Sequence, residues 1–183
     1  MKDTILIVDF GSQVTKLIAR RIREFAVFSQ IIPYHQLNKK NFHLKNVKGI
    51  IFSGGPNSVD EKYAPKVPKF IYDLKIPILG ICYGLQLICK NFGGKISHSK
   101  EREFGKIFLK IKKKSLLFGN KFKTNRDYQV WMSHSDAVKQ LPSGFESIAS
   151  SNNCKSAAVQ NVKKKIYGVQ FHPEVVHTIK GKE

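Results

Sequence analysis

Apolar residues recur along this chain in two rhythms, and the switch between them divides it into halves of different character. In the first half, short continuous apolar runs alternate with stretches of helical spacing. Ile5-Leu6-Ile7-Val8 predicts a buried strand over Thr4–Asp9. After the turn Phe10-Gly11-Ser12, Val14, Leu17, Ile18, Ile22 and Phe25 repeat at helical spacing. Lys16, Arg20, Arg21 and Arg23 fall between them, which predicts an amphipathic helix with Ser12 as its N-cap. Further strands are predicted at Val27–Pro33, Gly49–Ser53 and Pro77–Ile81. Helices are predicted at Pro68–Leu74 and Tyr83–Phe92, the second closed by Gly93-Gly94.

From Phe104 onward the pattern turns to strands with turns between them and no long helix. The runs are Gly105–Ile111, Gln129–Ser133, Phe145–Ser150, Ala157–Asn161 and Ile166–Phe171. Strands alternating with helices predict an α/β fold, a three-layer α/β/α arrangement around a mostly parallel central sheet. The second half then adds antiparallel strands to one side of it. No internal repeat and no low-complexity linker interrupts the chain, so residues 1–183 are expected to form a single domain.

Composition narrows this picture. With 183 residues and 42% hydrophobic content, the chain can bury one substantial core. No apolar stretch approaches a membrane span, and the start has too short an apolar run for a signal peptide. Three cysteines without a pairing pattern suit a reducing, cytoplasmic setting, and they lack the paired spacing of a zinc site, so no metal is expected. The net charge of +19 would suit a nucleic-acid binder, but the lysines are spread along the chain. The densest runs read as an edge strand entering a turn (Lys110–Lys114) and a hairpin turn (Lys163–Lys165). A solvated surface is the expectation, with neither nucleic acid nor membrane as partner. A docking face for an acidic partner fits the same field.

The candidate chemistry begins at Cys82. It follows an apolar run and sits between Gly80 and Gly84, where a helix begins. Two flanking small residues permit a sharp strand-to-helix bend that lifts the residue between them to an exposed, strained position. The helix start directs free N–H groups and a positive dipole end at the same point, which favours a thiolate there. Cys89, further along that helix, reads as a buried core residue.

A cysteine nucleophile needs a base, and the base needs a group to orient it. Gln170-Phe171-His172-Pro173-Glu174 closes an extended segment, so His172 and Glu174 can project to one side. His35, His43 and His98 have no comparable neighbour in sequence and read as surface or turn residues. His177 is a candidate second-layer or substrate-side group, and His134 a candidate for lining the site. Acyl chemistry also needs donors for a developing oxyanion. The backbone N–H of Tyr83 supplies one, and the loop Ser53-Gly54-Gly55-Pro56 can turn another outward. That loop lacks the Lys-Ser/Thr ending of a phosphate-binding loop, and the chain has no G-x-G-x-x-G.

Taken together, these residues resemble the class I, triad-type glutamine amidotransferase domain over nearly the whole chain, a flavodoxin-like fold. Within that class, Asp9-Phe10-Gly11-Ser12-Gln13, Arg102-Glu103-Phe104-Gly105, Val130-Trp131-Met132-Ser133-His134 and Val175-Val176-His177-Thr178 are similar to the GMP-synthase branch. The resemblance implies that Cys82 attacks the side-chain amide of glutamine while His172 relays protons with Glu174 behind it. It implies an oxyanion hole at Gly55 and Tyr83, and a glutamine pocket formed by Gln86, Ser133, His134, Ser135 and Asp136. The released ammonia would go to an ATP-pyrophosphatase synthetase part, a separate domain or chain, that aminates xanthosine monophosphate. No cofactor is implied for this part; ATP and magnesium would belong to the synthetase, whose nucleotide loop this sequence does not contain. The branch usually has Gly where this chain has Ser135, so a side chain there could crowd glutamine or force a costly backbone angle. Two other readings use the same residues: a stand-alone γ-glutamyl hydrolase of the same fold, and a non-catalytic basic binding module.

Overall fold

The computed structural model describes residues 2–39 and 46–183, which leaves His43 outside the described residues. The strands are β1 (Thr4–Asp9), β2 (Phe28–Pro33), β3 (Val47–Phe52), β4 (Ile78–Ile81), β5 (Lys95–Ile111), β6 (Asp127–Gln140), β7 (Glu146–Ser150), β8 (Ala158–Asn161) and β9 (Ile166–Val169). The helices are α1 (Thr15–Glu24), α2 (Phe70–Asp73) and α3 (Tyr83–Asn91). All nine strands join one sheet in the order β2-β1-β3-β4-β9-β8-β7-β5-β6. The pairings from β2 to β9 are parallel and those from β9 to β6 antiparallel. The antiparallel part is therefore as wide as the parallel part. Among the described residues, no helix is long and apolar enough to cross a membrane.

Two apolar clusters, one on each face, make the three layers. Leu85, Leu87, Ile88 and Cys89 of α3 pack with Leu6, Val8, Ile50 and Phe52. Ile18 and Ala19 of α1 pack with Ile7, Ile81, Leu109 and Met132. Because alternate strand residues face opposite sides, Leu6 and Val8 serve one cluster and Ile7 the other.

Three local readings change. Helix α1 starts at Thr15 with Val14 as its N-cap residue, not Ser12. The Ser12 hydroxyl instead accepts the Val14 N–H at 3.2 Å, a turn that competes with helix two residues earlier. The lysine run at Lys110 is no edge: Lys110 pairs with Asp127 of β6 on one side and Ser150 of β7 on the other. Strands β5 and β6 are also longer than their apolar runs, because they continue past the sheet as a two-stranded ribbon. The run Lys163–Lys165 does form the turn between β8 and β9.

The bend between β4 and α3 depends on two close approaches. A Cβ on Gly84 would lie 2.5 Å from the Phe52 carbonyl oxygen, and one on Gly80 would lie 2.6 Å from the Gly84 backbone. Backbone stands in the way at both positions, so neither can give. Gly84→Ala is expected to lower stability by about 2 kcal/mol or more, in the range of overpacking. Chemical denaturation of the two proteins checks this, and an unchanged midpoint would contradict it.

Candidate active site

Cys82 occupies the corner itself. Its φ of 51° and ψ of −106° place a non-glycine residue in left-handed backbone, a strain of roughly 1–3 kcal/mol that the surrounding bonds must hold. They do so from both sides: Cys82 N–H donates to the Val169 carbonyl at 2.8 Å, and its carbonyl accepts from Gln86 N–H at 3.2 Å. The side chain is 6% exposed, at the start of α3. The thiol faces the Ser133 carbonyl at 3.8 Å and accepts from Gln170 Nε2 at 3.5 Å.

Strand β9 ends beside β4, so the chain leaving it carries His172 to the same corner. His172 interacts with Cys82, and its Nδ1 lies 2.9 Å from Glu174 Oε1. Burial works against a charged imidazole here. The bonds and charges of Cys82 and Glu174 outweigh it and raise the His172 pKa to about 10, so the ring carries its proton through the neutral range. The pair is fixed from behind. Thr178 Oγ1 donates to the His172 carbonyl at 2.6 Å, and Arg21 Nε donates to the Glu174 carbonyl at 3.1 Å. Glu174 Oε2 is buried and meets no donor among the described residues, so Nδ1 is the group this carboxylate serves.

The loop after β3 approaches from the third side. Ser53 Oγ accepts the Phe10 N–H at 3.0 Å and donates to the Gly54 carbonyl at 2.8 Å, which pins the loop to β1. A Cβ on Gly54 would sit 3.2 Å from His172 Cε1, and one on Gly55 would sit 2.9 Å from the Phe10 carbonyl. These glycines serve close approach. No acceptor among the described residues takes the N–H of Gly55 or of Tyr83. The Tyr83 ring is locked away from the site, its hydroxyl donating to the Pro65 carbonyl at 2.5 Å.

Cys82 separates two hollows of about 380 and 370 Å³. Gln86, Glu61, His98, Phe104 and Asp136 line the first; Gln13, Val14, Trp131, His172 and Val175 line the second. The two N–H groups of Gln86 go to the Asp136 carbonyl at 2.7 Å and Gln170 Oε1 at 3.2 Å, leaving its Oε1 as an acceptor. Alternation along β6 puts Ser133 and Ser135 on the side opposite Met132, His134 and Asp136. Ser135 faces an irregularity: four residues of β5 lie between His98 and Glu103 while Ser135 alone lies between Asp136 and His134 on β6, so the register shifts there. Its φ is not positive, so a side chain at this position forces no strained angle.

Two histidines border the first hollow, and one of them, His98, differs from its sequence reading. The His134 ring is buried with Nδ1 3.1 Å from the Asp136 carbonyl and Nε2 3.0 Å from Glu103 Oε2, which leaves neither nitrogen for a ligand. His98 is no isolated turn residue: its Nδ1 lies 2.7 Å from Asp136 Oδ1, at the rim of the first hollow. Sequence reasoning missed His98, Glu61 and Phe104. The cross-strand pairing of β5 with β6 supplies His98 and Phe104, and only the tertiary fold brings Glu61. The His177 ring lies against Trp131, a lining residue of the second hollow, with centroids 4.6 Å apart and planes tilted by 32°.

The strand-corner cysteine, the adjoining His–Glu pair and the sheet order define the class. Residues 6–183 match the family "Glutamine amidotransferase class-I", and the chain belongs to that family. At 98% coverage it is 47% identical to a GMP synthase [glutamine-hydrolyzing] of Bartonella henselae and 48% identical to that of Brucella melitensis. It spans about a third of the length of these relatives, 34% and 35%. A Thermoplasma acidophilum protein described as one subunit of a GMP synthase superposes with a TM-score of 0.89 at 34% identity, covering 100% of this chain and 89% of its own. A glutamine amidotransferase of Thermotoga maritima, at 22% identity, shares the fold with a TM-score of 0.79 over 96% of this chain and 77% of its own.

Proposed function

We propose that this chain is the glutamine-hydrolysing part of a GMP synthase, working in the cytoplasm and supplying ammonia to an ATP-pyrophosphatase part that aminates xanthosine monophosphate. The observation that carries the reading is the left-handed Cys82, beside a His172 that Glu174 holds at 2.9 Å. The names of relatives of which this chain spans one third support the partner.

In this reading glutamine lies in the first hollow. Gln86 Oε1 and the carboxylates of Glu61 and Asp136 take its α-ammonium, and Ser133 and the open backbone at Ser135 border its amino-acid end. The Cys82 sulfur attacks the side-chain carbonyl carbon, and the oxygen charge develops toward the N–H groups of Gly55 and Tyr83. His172 gives its proton to the departing nitrogen, so the C–N bond breaks as ammonia forms and a thioester remains. Ammonia leaves on the His172 side, toward the second hollow. The now neutral His172 takes a proton from water, whose oxygen displaces the sulfur and frees glutamate. Glu174 orients the imidazole and exchanges no proton.

Covalent labelling tests the nucleophile. Diazo-oxo-norleucine is expected to add once, at Cys82. Burial pushes the thiols of Cys89 and Cys154 up to about 12, which keeps them protonated and unreactive at neutral pH. Peptide mapping that finds the adduct on either of those cysteines would sink the assignment.

A further inference from the structure

Behind the β6 wall of the glutamine pocket lies a hydrogen-bonded chain whose far members, Ser151, Glu103 and His134, the mechanism above does not use. Glu103 and His134 are 2% and 5% exposed and face each other across the β5–β6 ladder, at the first pairing after the bulge. Ser151 Oγ donates to Glu103 Oε1 at 2.7 Å, and Glu103 Oε2 lies 3.0 Å from His134 Nε2. A carbonyl can only accept, so His134 Nδ1 donates its proton to the Asp136 carbonyl, 3.1 Å away. That carbonyl also takes Gln86 Nε2 at 2.7 Å. Gln86 reaches Gln170 at 3.2 Å, and Gln170 reaches the Cys82 sulfur at 3.5 Å. Buried polar groups are costly unless paired, and here every member is paired.

We propose that Glu103 is a positioning residue for glutamine binding: through His134 it sets the Asp136 carbonyl, and with it Gln86 and the Ser133–Asp136 wall. The inference rests on the glutaminase reading for its effect on activity. The physical basis is the bulge. Between His98 and Glu103 the β5–β6 register shifts, so a side-chain bond at the first pair beyond the shift helps hold the wall. Glu103 touches neither the sulfur nor His172. Its removal should therefore loosen recognition of the amino-acid end more than the chemistry at Cys82.

The test compares Glu103→Ala, Glu103→Gln and Ser151→Ala, the last in case the first fails to fold. Glu103→Ala is expected to raise the KM for glutamine on the order of tenfold or more, with kcat within a few-fold. Glu103→Gln keeps the size and offers Nε2 either a donor or an acceptor, so it should recover most of the binding. Ser151→Ala, which removes one bond to the Glu103 carboxylate and the acceptor of the Cys154 N–H, should raise KM a few-fold. Alkylation of Cys82 by iodoacetamide, which has no amino-acid end to recognise, should keep its wild-type rate in all three. Amide exchange over residues 133–136 should quicken in Glu103→Ala and not in Glu103→Gln, a readout that holds whatever the substrate is. A fall in kcat at constant KM, or unchanged exchange in Glu103→Ala, would overturn the inference. Failure of the unmodified protein to hydrolyse glutamine would overturn the glutaminase reading instead, and the exchange experiment would still decide the role of Glu103.

Discussion

Replacing His172 by alanine is expected to lower glutaminase turnover on the order of 10³-fold or more, about as much as replacing Cys82. The two act as a unit, because the thiol without its partner has nowhere to place its proton and the leaving nitrogen has no donor. A double variant should therefore be little worse than either single one. Glu174→Ala should cost less, since the carboxylate orients the ring and exchanges no proton. The pH profile carries the sign. The His172 proton, held up to about 10 by Cys82 and Glu174 against burial, is present through neutrality and lost as pH rises through that value. Turnover should stay level across neutral pH and fall on the alkaline side. Glu174→Gln removes one of the charges that raise the pKa, so its alkaline limb should move to lower pH. Steady-state rates for the single and double variants across pH provide the measurement. A His172→Ala protein with near-native turnover would refute the proposed chemistry.

The second large effect concerns the partner. Addition of a GMP-synthase ATP-pyrophosphatase part, with ATP and xanthosine monophosphate, is expected to raise glutaminase turnover about a hundredfold. One oxyanion donor is worth that much, roughly 3 kcal/mol, and the Gly55 N–H is the donor a partner can reorient most cheaply. Ser53 pins the start of this loop to Phe10, so the movement would be confined to Gly54 and Gly55. With a net charge of +19, docking should be partly electrostatic. Raising salt should therefore weaken the activation more than the basal rate. Kinetics with and without the partner, across a salt series, check both parts. Full turnover in isolation, unchanged by the partner, would favour a stand-alone hydrolase.

Much of the site was legible in the residues because its signals are local. A glycine on each side of Cys82 marks a bend that few other purposes require, and His172 and Glu174 lie two positions apart on one strand end. The parallel half of the fold was legible for the same reason: short apolar runs and helical spacing are properties of neighbours in sequence. Local chemistry misled at Ser12, where a hydroxyl suited to capping a helix builds a turn ahead of it.

What the tertiary structure alone decided are the relations between distant segments. That β9 lies next to β4, and so brings His172 to Cys82, depends on the strand order and on no single motif. The bulge opposite Ser135 sets which β6 residues face the hollow, and periodicity cannot announce it because the register shift belongs to two strands at once. The same pairing gave His134, at the first hollow, the carboxylate of Glu103 as a partner, and gave His98 that of Asp136. The sequence determined which groups can do the chemistry, through local geometry and side-chain identity. The packing of nine strands decided which of them meet, because contact across a sheet is set by burial of both faces together.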